Sequence, residues 1–257
     1  MKKKMIAGIL LAVGMIGFAT EYNFSKGEDC TYEIRQKIEE KNGVFTLKGM
    51  VHFWPKKMFT PEAGKKYRVS AEIRTDSKER IPAVCLAVVY FNDKGKFIWT
   101  REYMAVPNSF TELVKPVVMT DTILTLKAPA WKWEKNKAYV VAFEVKEDES
   151  DLPNAKVSTR LKSIVQEGDN LKITLSKPLY AEFPAGTKVR LHYDYSFYQP
   201  CPDGQFYNIP TPEWKKCGGS FKIPAGMKHF RPAVIYYDSA KDTDKSFELR
   251  NFKLIAE

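Results

Sequence analysis

Six aromatic residues carry the clearest chemical potential in this sequence: Trp54, Trp99, Tyr103, Tyr195, Tyr198 and Tyr207. A pyranose ring presents an apolar C–H face that stacks on an indole or phenol ring, while polar neighbours fix its hydroxyls. Trp54 follows His52 and Phe53 and precedes Pro55, at a strand end. Trp99 lies on a hairpin beside Arg101 and Glu102. Each ring has a competing role in core or rim packing. As a set, they predict at least one ring facing a ligand.

A second constellation would be catalytic. Arg190, His192 and Tyr195 lie close in sequence, and a polysaccharide lyase uses Tyr or His to remove a proton and a basic side chain to neutralise the uronate. Alternation places His192 with Lys188 and Arg190 on the polar face of a strand, opposite Val189, Leu191 and Tyr193. The simpler expectation for that face is solvation. The carboxylates are scattered, so no glycosidase pair stands out. There is no G-x-S-x-G, P-loop or dinucleotide fingerprint, and no Cys/His spacing for zinc. The residues therefore define no catalytic centre and call for no cofactor.

Several features place the chain outside the cytoplasm. Lys2, Lys3 and Lys4 precede an apolar run from Met5 to Phe18, and Gly17-Phe18-Ala19 reads as a small-x-small cleavage site. Residues 1–20 are thus expected to be a signal peptide. The mature chain is expected to be secreted, periplasmic or on the cell surface, and not membrane-embedded. The net charge of +10 falls to about +7 without those three lysines. That favours acidic partners such as anionic polysaccharide or the cell envelope, with nucleic acid improbable for want of a clustered basic motif. Export permits disulfides. Cys201 and Cys217 flank a Pro/Gly-rich loop and are expected to pair. Cys30 and Cys85 form a second pair or remain two thiols.

The elements that must position these residues are strands. Tyr67, Val69, Ala71 and Ile73 alternate with Arg68, Ser70, Glu72 and Arg74. Ala83 to Phe91 is apolar on both faces and predicts a central, covered strand. Asn92-Asp-Lys-Gly95 predicts a hairpin turn. From Pro107, compact strands at 121–127, 138–145, 161–165, 171–175 and 188–193 predict a small β unit inserted at 107–196, with an exposed acidic loop at 146–154. Trp131 and Trp133 share one face of an extended stretch and are expected to close this insert onto the rest. In the last strand, Phe247 and Leu249 fall out of step with Phe252 and Leu254, which predicts a bulge at Arg250-Asn251.

Three segments outside the insert resemble the jelly-roll carbohydrate-binding modules of the galactose-binding-like superfamily, of the type appended to xylanases. They are Gly64-Lys-Lys-Tyr-Arg-Val-Ser-Ala-Glu-Ile-Arg74, Glu213-Trp-Lys-Lys-Cys-Gly-Gly-Ser-Phe221 with Ile223-Pro-Ala-Gly226, and Phe247-Glu-Leu-Arg-Asn-Phe-Lys-Leu254. The resemblance implies an all-β jelly-roll sandwich at 21–106 and 197–257, interrupted by the β-rich insert, with Trp214 in a packing role. It implies a non-catalytic protein that binds poly- or oligosaccharide, the alternatives being a lyase or hydrolase, or a structural or adhesive envelope protein with protein partners. Many such modules hold a structural calcium. Here Ser25 stands where a Glu would bind it and Asn251 replaces an Asp, so calcium is not expected.

Overall fold

A computed structural model describes residues 19–33, 38–49, 51–75, 84–132, 134, 136–201, 211–224, 226–236 and 246–257. The chain begins with β1 (Thr20–Phe24), β2 (Cys30–Glu33), β3 (Glu39–Lys41), β4 (Val44–Lys48), β5 (Val51–Pro55), β6 (Lys66–Arg74), β7 (Val84–Phe91) and β8 (Phe97–Ile98). One helical turn, α1 (Thr100–Tyr103), leads into β9 (Thr111–Glu112), β10 (Ile123–Lys127), β11 (Tyr139–Phe143), β12 (Leu161–Glu167), β13 (Asn170–Leu175) and β14 (Lys188–Tyr193). The chain then returns through β15 (Tyr198–Pro200), β16 (Lys215–Lys222), β17 (His229–Tyr236) and β18 (Ser246–Ala256). Among the described residues no helix is long and apolar enough to cross a membrane.

The protein is all-β, a sandwich interrupted by a small β unit. One sheet runs β16-β6-β18-β4-β3, with β1 also on β18. The other runs β15-β7-β17-β5-β2, with β8 on β7. From β5 to β7, and again from β15 to β18, successive strands alternate between the two sheets, while β7, β8 and β15 share one sheet on either side of the insert. Alternation along β6 sends Tyr67, Val69, Ala71 and Ile73 into the core between them, against Leu86, Val88, Tyr90, Phe230 and Leu254. Every residue of β7 is buried, because its second face is covered as well: Cys85, Ala87 and Val89 pack with Trp54, Tyr198 and the half-buried Phe97 and Phe197. The turn after β7 closes as its sequence requires. Gly95 takes φ 70°, and the Asn92 side-chain oxygen accepts from the backbone N–H groups of Lys94 and Lys96.

The bulge in β18 is where the apolar alternation slips. Arg250 faces Glu72 and Lys253 faces Ser70, so two residues of β18 stand opposite the single Ala71. Asn251 takes φ 50° there, and Phe252 and Leu254 return to the inner face. The extra residue preserves the buried face across the slip, as a one-residue insertion in a two-residue repeat must.

The insert has its own core. Sheets β10-β13-β12 and β11-β14-β9 enclose Leu124, Leu126, Phe143, Ile173, Phe183 and Leu191, among others. Phe143 and Phe183 stack at 4.0 Å between centroids.

Three expectations are corrected. No disulfide joins Cys201 and Cys217, and all four cysteines are buried thiols. Cys217 points inward from β16, while Cys201 follows β15 on the opposite sheet and donates its N–H to Leu86. The two cysteines are thus carried by separate sheets rather than by the two ends of one turn. Residues 202–210 between them lie outside the described residues. The loop at 146–154 is only partly exposed: Leu152 and Asn154 are buried, as is the Asp151 side chain. Trp131 packs edge-on against Tyr139 of the insert's own core, at 5.2 Å, while Trp133 lies outside the described residues.

Candidate functional site

The six aromatic candidates separate sharply by burial. Trp54 and Tyr103 are each 2% exposed and Tyr198 is 7% exposed, so no sugar ring can reach their faces. For Trp54 and Tyr198 the cause is the covered outer face of the β7 sheet, whereas Tyr103 joins the inner core beside Tyr90. Trp54 packs against Phe97 at 5.9 Å and His52 at 6.2 Å, and Tyr103 packs edge-on against Tyr90 at 5.0 Å. Tyr207 lies outside the described residues. Trp99 and Tyr195 remain, 40% and 49% exposed.

Thr100 ties together the two backbone segments that carry them. Its backbone N–H donates to Ser196 at 2.8 Å, and its buried hydroxyl oxygen accepts from the backbone N–H groups of Tyr195 and Ser196 at 3.0 and 3.1 Å. This clip fastens the start of α1, where the chain leaves the sandwich, to the connection between β14 and β15, where it returns from the insert. Rings continue along the seam on both sides. Tyr195 stacks on Tyr193 (5.3 Å, 14° between planes), and Trp99 meets Phe197 edge-on at 5.9 Å.

Charged groups border the row. The Arg101 guanidinium lies 5.1 Å from the Trp99 ring centre, and Lys137 lies 5.4 Å from that of Tyr193. Lys137 also binds Glu134 at 2.9 Å, which holds its ammonium above the usual lysine pKa. Arg160 donates to the Asp194 carboxylate at 2.8 Å and to its carbonyl at 3.1 Å, bracing the backbone beside Tyr195. Burial pushes the Glu102 carboxyl up, against the N–H of Trp99 that it accepts at 3.5 Å. Chemically, this is an open aromatic surface with hydrogen-bonding groups at its margin. Among the described residues it brings together no nucleophile–base pair.

The lyase constellation is not assembled. His192 is fully buried and Arg190 is 3% exposed, which corrects the expectation of a solvated face on β14. α1 and the 146–154 loop cover that face. The Arg190 guanidinium binds the Asp151 carboxylate at 3.1 Å and the Lys146 carbonyl at 3.2 Å, and its Nε–H donates to His192 Nε2 at 3.1 Å. His192 Nδ1 meets the Arg101 carbonyl at 2.8 Å. A base with both ring nitrogens engaged and no exposed surface cannot reach a polymer. The one sequence signal for this arrangement is Leu152, an apolar residue within an acidic loop.

Trp214 belongs to no core cluster. It is half-buried, with the guanidinium carbons of Arg250 and Arg74 at 4.1 and 4.7 Å from its ring centre. These arginines are held in turn by Glu72 and Glu248. Among the described residues no group of three or more His, Cys, Asp and Glu side chains gathers in a metal-binding arrangement. No family model and no curated protein matches the chain.

Proposed function

We propose that this is an exported, non-catalytic carbohydrate-binding protein, a galactose-binding-like jelly roll that holds a poly- or oligosaccharide on the aromatic seam between sandwich and insert. The observation that carries this reading is the joint exposure of Trp99 and Tyr195, fixed in place by the Thr100 clip. Two large rings 40% and 49% exposed give up roughly half of the about 1.5–3 kcal/mol that full burial of a large side chain is worth, and a sugar face would recover part of it. An open surface suits an internal stretch of a polymer better than a chain end. The bordering Arg101 and Lys137 supply donors to sugar hydroxyls.

A second reading has its own support. Val114, Val118, Met119 and Ile123 of the insert are each more than 40% exposed. Apolar exposure of this kind favours an assembly role with an envelope protein.

Affinity electrophoresis of the mature chain through gels containing neutral and anionic polysaccharides separates the two. Retardation by a glycan, lost in Trp99→Ala and in Tyr195→Ala while the Tm stays within a few degrees, is the expected result. Retardation unchanged in both variants overturns the seam as the site. No retardation in any gel overturns glycan binding and favours assembly.

A further inference from the structure

The outer face of β16-β6-β18 carries a second hollow, remote in sequence from the aromatic seam. Strand register lays its outward residues in rows. The first is Lys216, Glu72 and Arg250; the second is Gly218, Ser70 and Lys253; the third is Ser220, Arg68, Ile255 and Glu21. The middle row lacks bulk on β16 and β6. Two adjoining cavities of about 250 and 500 Å³ open there, and Ser70, Lys216 and Ile255 line both. The bulge brings Asn251 to the wall of the smaller one. At Gly218 a Cβ would stand 3.2 Å from the Val69 carbonyl oxygen, so that position does not readily accept a larger residue.

Three features give the hollow a chemistry. Ser70 is 9% exposed and lines both cavities, and its hydroxyl has no hydrogen-bond partner among the described residues. That hydroxyl is free to donate to or accept from a group bound in either cavity. The carboxylates of the first and third rows are already engaged: Glu72 binds Arg250 and Glu21 binds Lys253, each at 2.8 Å. Lys216 and Arg68, on either side of the Ser70 row, form no ion pair among the described residues. The floor thus offers a hydroxyl between two cations that no close ion pair holds, although Lys216 also feels the Glu72 carboxylate across the strand pair at longer range. Glu72 and Glu21 in the walls and Glu257 at the far end can still accept hydrogen bonds.

We infer that this hollow binds one anionic saccharide unit, with its acidic group at Ser70 between Lys216 and Arg68. Ring hydroxyls then donate to the wall carboxylates. A neutral sugar leaves both cations unused. An inorganic anion such as phosphate meets three carboxylates and, with only one or two P–OH groups, donates less to them than a sugar ring does. The acidic group is a uronate carboxylate or a sulfate ester, since both present oxygens to the same donors.

Isothermal titration of the mature full chain tests this with trigalacturonate, a sulfated galactose trisaccharide, a neutral xylotriose and inorganic phosphate. At least one acidic trisaccharide should bind, more weakly as salt rises. Its affinity should fall at least tenfold in the Arg68→Gln/Lys216→Gln double variant and several-fold in Ser70→Ala. The loss caused by Arg68→Gln/Lys216→Gln should be as large in a Trp99→Ala background, which separates this site from the seam. Uronate binding alone identifies the carboxylate, and sulfate-ester binding alone identifies the ester. Three outcomes overturn the inference: no binding of either acidic trisaccharide, equal binding of xylotriose or phosphate, or unchanged affinity in a folded double variant.

Discussion

His192 shows how a single residue type changes its meaning with burial. Arginine has only donors, so the nitrogen that accepts from Arg190 Nε–H must be unprotonated, and the proton sits on Nδ1, facing the Arg101 carbonyl. Burial is the main force lowering its pKa to about 4, and the Arg190 charge adds to it. The Arg101 carbonyl and the Asp151 carboxylate oppose the shift. The folded state therefore binds fewer protons than the unfolded chain, whose histidine titrates near 6.5. This contribution to stability is complete above pH ~6.5 and is lost as pH falls toward 4, roughly 3 kcal/mol in full. Urea unfolding of the wild type should lose stability steeply between pH 6.5 and 4.5. His192→Gln should lose distinctly less across that range. Parallel slopes would show that the imidazole is not held neutral by the fold. A neutral, buried His is a structural group here, and that argues against proton abstraction from a substrate.

Among the elements, β18 demonstrates what a two-residue period can and cannot convey. Its bulge depends on Asn251 at φ 50°, a conformation that most side chains resist by about 1–2 kcal/mol and that Asn and Gly tolerate. Asn251→Gly should leave the Tm within about 3 °C of the wild type, whereas Asn251→Val should cost about 2 kcal/mol in thermal unfolding. Equal effects of the two substitutions would mean that backbone conformation does not control the bulge. The slip was visible in the sequence because Phe247, Leu249, Phe252 and Leu254 must all reach one core. The inward residues of β6, the turn at Asn92–Gly95 and the continuous burial of β7 were legible for the same reason: each is a local pattern with one buried outcome. The site was less legible. Trp54, Tyr103 and Tyr198 have the composition of a sugar platform, but segments distant in sequence cover them. The polar side of β14 looked solvated because its cover, α1 and Asp151–Asn154, comes from elsewhere in the chain. Alternation identifies two faces, and tertiary packing decides whether the polar one meets water. The hollow at Ser70 escaped notice because Gly218 and Ser70 are unremarkable until register sets them side by side.

Over the whole molecule, the sandwich and insert are two cores joined by a small set of specific contacts, and the proposed glycan seam lies on that joint. The Asn154 N–H donates to the Glu102 carbonyl at 2.7 Å, the Tyr193 N–H donates to Met104 at 2.9 Å, and the Asp151–Arg190–His192 chain ends on Arg101. A further close approach involves Gly226, between β16 and β17. A Cβ on Gly226 would lie 1.9 Å from the Leu152 carbonyl oxygen, and the residue also takes φ 82°. Gly226→Ala must therefore displace either the turn or the 152–153 backbone while both cores remain intact. Coupled in this way, the wild type should unfold in one calorimetric transition. Gly226→Ala should cost about 2–3 kcal/mol or more and divide that transition into two, because each unit retains its own buried cluster. Opening the joint disturbs the Thr100 clip, so retardation by the seam's glycan should weaken in this variant. Binding of the acidic trisaccharide on β16-β6-β18 should persist, since no residue of that hollow belongs to the insert. A single, unshifted transition in Gly226→Ala would show that the turn does not couple the two units. The seam would then depend on the Thr100 hydrogen bonds and the contacts of Arg101, Glu102 and Met104 with the insert to keep the two units in register.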